Sequence, residues 1–171
     1  MPKSYLVVGG SSDIAILVSD LLLDDGHSVT VLARDISRVE SLKSRGAHVI
    51  QGDALDQETV STAIGMALEV GDGEIAGVSH LVGSIMLRPP HALKMDVFEE
   101  VIRTNLISAF LTLSLAGKAM LKSGTGRMVF TSSVAGSLGL VNHEAIAAAK
   151  GGIESMAVSY THLRAHETRG N

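Results

Sequence analysis

The feature that most constrains this chain is a repeated alternation of short apolar runs with longer segments of helical period. "SYLVV" (4–8), "SVTVLA" (28–33) and "AHVIQG" (47–52) are short and rich in β-branched residues. "SDIAILVSDLLLDDG", "ISRVESLKSRG" and "DQETVSTAIGMALEV" alternate with them and carry apolar residues at helical spacing, the first two closed by Gly26 and Gly46. "GVSHLVG" and "GRMVFTSS" read as two further strands. The long helical region between them, from about Lys94 to Lys122, breaks near Thr104 or Asn105, and a last helix begins near Glu144. Strands alternating with helices demand a parallel sheet, and right-handed crossovers then place helices on both faces. The expected fold is α/β, a Rossmann-like doubly wound parallel sheet with about five strands, whose ligands belong at the carboxyl ends of the strands.

The bulk numbers narrow the function classes. A chain of 171 residues, 46% hydrophobic and 19% charged, builds one domain with a substantial core. A formal charge of −4 without runs of like charge points away from nucleic acid and from a polybasic membrane anchor. The absence of cysteine excludes disulfides and thiolate chemistry and is compatible with a reducing, cytoplasmic setting. The seven histidines show no metal-ligand spacing, so no metal site is expected. The N-terminus reads as a strand rather than a secretory leader. The most apolar helical stretches fall short of the roughly 18 uninterrupted apolar residues of a membrane span. A small-molecule partner is the expectation that is left.

The strand ends carry the candidate chemistry. The turn "VVGGSSDIA" after the first strand offers backbone N–H groups and a helix N-terminus to an anion, as a dinucleotide pyrophosphate requires; a plain tight turn is the alternative. The second strand ends in Arg34, where an acid would hold a ribose 2′-hydroxyl. An arginine there pairs with a 2′-phosphate, which favours NADP over NAD, unless Arg34 is simply a solvated surface residue. Asp53, after the third strand, can accept from an adenine amino group or cap the following helix.

In order and spacing these segments resemble the short-chain dehydrogenase/reductase family over roughly residues 4–157. "GGSSDIA" resembles its cofactor loop, "GDALD" its adenine contact and "HLVGS" the segment after its fourth strand. "VIRTNLISAF" resembles its asparagine-bearing helix, "GRMVFTSSVAGSLG" its fifth strand and serine, and "NHEAIAAAKGGIESM" the helix that carries a tyrosine and a lysine. The resemblance implies an oxidoreductase that moves hydride between NADP(H) and a carbonyl or alcohol. It implies cofactor contacts from Gly9, Gly10, Ser11, Ser12, Asp13, Ile14, Arg34, Asp53, Ala54, Val82, Gly83, Asn105 and Lys150. Ser133 would orient the substrate oxygen, Asn105 would hold a relay water and Lys150 would hold the nicotinamide ribose. For Ser132 and Ser133 simple strand-end hydrogen bonding is the alternative, and for Asn105 tolerance of a helix break.

Three positions depart from the family pattern. Asp13 replaces the second loop glycine and would sit close to the pyrophosphate and repel it, whereas Ala15 replaces the third glycine at little cost. The third departure is Ile146, which stands four residues before Lys150, where the family carries its tyrosine acid. On a helix these two residues share a face, so isoleucine makes the centre of the site apolar and leaves it without a proton donor. His143, one turn earlier, is a substitute acid or a mere cap residue. The readings are therefore an oxidoreductase, a cofactor-binding module without turnover, or a structural protein on the same fold.

Beyond about Ala157 the text shifts to "SYTHLRAHETRGN", with no periodicity and no sixth strand, so residues 158–171 are expected to be a non-homologous, non-native tail. The family's last strands would then be missing, the fifth strand would be an exposed edge and the domain marginal. A homo-oligomer is an expectation for the intact parent.

Overall fold

A computed structural model describes residues 1–167. Its strands are β1 (Ser4–Val8), β2 (Ser28–Ala33), β3 (His48–Gln51), β4 (Gly77–His80) and β5 (Arg127–Phe130). Its α-helices are α1 (Asp13–Asp24), α2 (Glu40–Ser44), α3 (Gln57–Glu69), α4 (Met95–Ile102), α5 (Ser108–Ser123) and α6 (Glu144–Glu167). The five strands form one sheet in the order β3-β2-β1-β4-β5. β1 pairs in parallel with β2 and β4, and β2 with β3, so the doubly wound reading holds. Val8 lies opposite both Leu32 and His80, which brings three strand ends to one level.

β1 is apolar from Leu6 to Val8, where both its faces are buried, and its one polar residue, the buried Ser4, donates its hydroxyl to the Ala67 carbonyl. Leu6 and Val8 join the cluster formed with α3 and α5, which includes Val60, Ala63, Ala116 and Met120. Val7 faces the opposite way, into a cluster with Ala15 of α1 and with Val39 and Leu42 of the α2 region. Helices thus cover both faces, as crossover handedness requires.

Length and composition point to a single core, but the contacts divide the chain into two compact units. The first comprises Met1–Val82 and Leu111–Val129, and holds the sheet. The second comprises Gly83–Phe110 and Phe130 onward. It has its own apolar cluster, built by Val101, Ala135, Ala145 and Ile146, because α4, the turn after β5 and α6 pack on one another.

Local chemistry explains where elements differ from the sequence pattern. "ISRVESLKSRG" is not one helix. Asp35 accepts from both the backbone and the hydroxyl of Ser37, which closes a 3₁₀ turn at Ile36–Val39 before α2 begins. The same two bonds hold the Asp35 carboxyl below its usual range. The break near Asn105 is a π turn, Arg103–Ile107, that joins α4 to α5 without ending the helix. There the Asn105 amide donates to the Val101 carbonyl (2.9 Å) and the Ser108 hydroxyl to the Thr104 carbonyl (2.6 Å), so side chains serve carbonyls at the widened turn.

The whole run Met95–Ser123 is, by length and apolar composition, long enough to cross a membrane. Its Ala116 and Met120 lie in the core cluster and Leu111, Leu115 and Ala119 pack against it, which asks for the same composition. α6 continues to Glu167 through residues in which the sequence shows no periodicity. Ser159 and Thr161 bond back to the carbonyls of Ser155 and Ala157, so their polar side chains are satisfied along the helix. Residues 168–171 of the expected tail lie outside the described residues. β5 stands at one edge of the sheet with Val129 exposed.

Candidate functional site

In the first unit the candidate cofactor residues gather at the ends of β1, β2 and β3. Gly9 has φ +86°, and a Cβ there would lie 2.8 Å from the backbone nitrogen of Val82; at Gly10 a Cβ would lie 2.1 Å from a Val31 methyl carbon. Both N–H groups donate to the Leu32 carbonyl, at 3.0 and 2.9 Å. These glycines shape the turn, and their N–H groups are already engaged. Ser12 caps α1 by accepting from Ala15 N–H. Among the described residues the N–H groups of Ser11, Asp13 and Ile14 have no protein acceptor, which leaves them as donors at the positive end of α1. Anion chemistry fits that arrangement.

Arg34 and Asp53 face each other at 3.8 Å, both substantially exposed. Asp53 closes a local turn by accepting from Leu55 N–H, but it does not cap α3. That role belongs to Asp56, which accepts from Thr59 N–H and the Thr59 hydroxyl; these bonds hold its carboxyl below the usual range. Ala54 is a core residue, so only its backbone is available. Asp13 is almost fully exposed and bound by Arg38 at 2.6 Å.

In the second unit a polar group forms around Gly83. A methyl group at Gly83 would lie 3.2 Å from Asn105 Oδ1 and 3.6 Å from Lys150 Nζ. Asn105 is fully buried in the π turn, where its amide also donates to the Ser84 carbonyl (3.1 Å) and its Oδ1 accepts from Ser84 N–H (3.3 Å). Lys150, 6% exposed, donates to the Thr131 carbonyl at 2.8 Å. Among the described residues no carboxylate pairs with it, and burial pushes its pKa below the ordinary 10.5.

Ser133 opens the 3₁₀ turn Val134–Gly136 by accepting from Ala135 N–H, which leaves its hydroxyl proton free to donate. Ser132 is held by Glu154 at 2.6 Å. His143 lies just before α6 with its ring Nδ1 2.7 Å from the Val141 carbonyl, to which it donates. Its partner is this carbonyl and not Ser133, Asn105 or Lys150. Ile146 is 3% exposed and packs with Val101, Ala135 and Ala145. The side chain thus belongs to the apolar cluster of the second unit and is nearly removed from solvent.

Sequence reasoning missed Glu154 and Ser84. Glu154 lies one turn after Lys150 on the same face, and Ser84 directly follows Gly83; both signals were present but common.

The Lys150 burial has a measurable consequence. Between its lowered folded pKa and 10.5 the unfolded chain binds more protons, so stability rises as pH climbs through that window. Replacing Lys150 with Met should flatten the alkaline part of a melting-temperature profile up to about pH 10.5. A profile parallel to that of the wild type would mean that Lys150 is not desolvated.

Comparison with known proteins is consistent across sequence and fold. The family described as short chain dehydrogenase matches residues 3–168. The 3-oxoacyl-[acyl-carrier-protein] reductase MabA of Mycobacterium tuberculosis is 32% identical over 163 residues, covering 92% of this chain and 61% of the relative. The uncharacterized oxidoreductase YbbO of Escherichia coli is 31% identical over 156 residues, covering 91% of this chain and 58% of the relative. A crystal structure of a short-chain dehydrogenase from Streptomyces avermitilis superposes with a TM-score of 0.89 at 19% identity, covering 98% of this chain and 62% of that one. The chain thus spans about three fifths of the length of the relatives it matches.

Proposed function

The chain belongs to the short chain dehydrogenase family, and from that premise we propose that its full-length parent is an NADP(H)-dependent oxidoreductase acting on a carbonyl or alcohol by hydride transfer. The observation that carries this reading is the pair of buried polar groups near Gly83: Asn105, bonded to Ser84 and Val101, and Lys150, bonded to the Thr131 carbonyl and without an ion-pair partner among the described residues. Polar groups kept at such cost after a strand end are characteristic of sites that bind or react. That the MabA relatives are named as reductases of 3-oxoacyl groups supports a carbonyl substrate.

The bound dinucleotide would supply the hydride, and the residues here divide its binding. The free N–H groups of Ser11, Asp13 and Ile14 suit a pyrophosphate, with Gly9 and Gly10 shaping their turn and Ser12 capping α1. Arg34 suits a 2′-phosphate, with Asp53 beside it, while the backbone at Ala54, Val82 and Gly83 lines the strand ends. Lys150 suits a ribose hydroxyl, Asn105 a held water and Ser133 a substrate oxygen. The proton donor is the open role, because Ile146 has no proton to give and the His143 Nδ1 is engaged by Val141. For this reason a cofactor-binding protein without turnover is the second reading.

Titration of the folded chain with NADPH and NADH tests both, and absence of saturable binding would refute both. Arg34→Ala should weaken NADPH by roughly tenfold or more, the usual worth of a charge-assisted bond to phosphate, and should leave NADH nearly unchanged. Equal losses for the two cofactors would remove Arg34 from the 2′-phosphate role.

A further inference from the structure

Asp13 is an odd residue for the site just described. It stands in the first turn of α1, beside the free N–H groups of Ser11 and Ile14, where a bound pyrophosphate would place its own negative charge. The sequence alone predicts repulsion. The structure adds a residue that sequence reasoning did not single out: Arg38, at the end of the 3₁₀ turn after β2, donates to Asp13 Oδ1 at 2.6 Å across 25 positions of sequence. Both side chains are exposed, 50% and 91%, so no packing requirement forces them together. Arg38 also adds, behind the two Ser37 bonds, to the lowering of the Asp35 pKa.

Resting on the dinucleotide reading, we propose that Arg38 is the counter-ion of Asp13, a positioning residue that cancels the acid standing in the glycine-rich loop and so permits anion binding there. Arg38 acts through Asp13 and does not itself touch the cofactor. An exposed pair contributes little to folding, so its effect belongs to the ligand. Because pyrophosphate is common to both cofactors, the pair tunes NADPH and NADH alike, whereas Arg34 discriminates between them.

The test is a double-mutant cycle read by equilibrium binding, with Arg38→Ala, Asp13→Asn and the double variant each titrated with NADPH and with NADH. Arg38→Ala should weaken both cofactors by a similar factor, about 3- to 10-fold, as an uncompensated charge near a phosphate implies. Asp13→Asn should tighten both. In the Asp13→Asn background, Arg38→Ala should change affinity by less than about twofold, the signature of coupling. Circular dichroism of each variant should match the wild type.

A loss on Arg38→Ala that persists undiminished when Asp13 is already neutral, or one confined to NADPH, would make Arg38 a direct phosphate ligand and overturn the proposal. So would an Asp13→Asn variant that binds no more tightly. If the wild-type chain binds neither cofactor, the dinucleotide reading itself fails, an outcome separate from an uncoupled cycle.

Discussion

Replacing Ile146 with tyrosine is expected to raise NADPH-dependent reduction of a responsive ketone or aldehyde by about 10²- to 10⁴-fold, the usual contribution of a positioned acid. Position 146 shares a helical face with Lys150, whose amine is buried and held on the Thr131 carbonyl. A phenol there would stand beside a cation and be biased toward releasing its proton. The wild-type side chain is 3% exposed among Val101, Ala135 and Ala145, so the larger ring must displace the partly buried Met86, Leu93, Phe98 or Ala147. Overpacking of this kind costs about 1–3 kcal/mol, which for a chain of this length lowers the melting temperature by roughly 2–4 °C per kcal/mol. The measurement is initial rate against a panel of small carbonyls, with Ile146→Tyr/Lys150→Met as the control that should lose the gain. No gain in a folded, NADPH-binding variant would show that more than the acid is missing, and the non-catalytic reading would lead.

Gly9→Ala is expected to abolish measurable NADPH binding and to destabilise the fold by about 2–5 kcal/mol, summing a left-handed backbone cost of 1–2 kcal/mol with a steric cost of 1–3 kcal/mol. The clash is with backbone: an added Cβ would lie 2.8 Å from Val82 N and 2.9 Å from Leu81 C, atoms fixed by the Leu81 N–H bond to the Val8 carbonyl. Relief would pull β1 from β4 and distort the turn that carries the N–H groups of Ser11, Asp13 and Ile14. Denaturant unfolding and NADPH titration read the two effects separately. A variant with wild-type stability would mean that the turn can adopt another conformation.

Much of this architecture was legible because β-α alternation is a local property. β1 and β2 have the bounds that their runs imply, since a parallel strand buried on both faces is mostly apolar, with only Ser4, Ser28 and Thr30 as polar exceptions. α6 begins at Glu144, as the helical spacing of its small residues suggests. Where side chains compete with the backbone the sequence is a poorer guide. Asp35 converts the start of an expected helix into a 3₁₀ turn, and Asn105 with Ser108 turns an expected break into a π turn within one continuous helix. Hydrogen bonds of this kind depend on rotamer and register, which periodicity does not encode.

The sequence by itself determined the fold class, the glycine turn at Gly9 and Gly10, and the loss of an acid at Ile146, because each follows from residue type and spacing along the chain. Only the tertiary structure decided which charges meet. Arg34 lies against Asp53, Arg38 pairs with Asp13, Glu154 holds Ser132, and Lys150 is desolvated beside Gly83 and Asn105. These partners are separated by 19 or more residues of chain in the first three cases. Coulomb and hydrogen-bond energies fall off with distance in space, and that distance is set only when the strands and helices have packed.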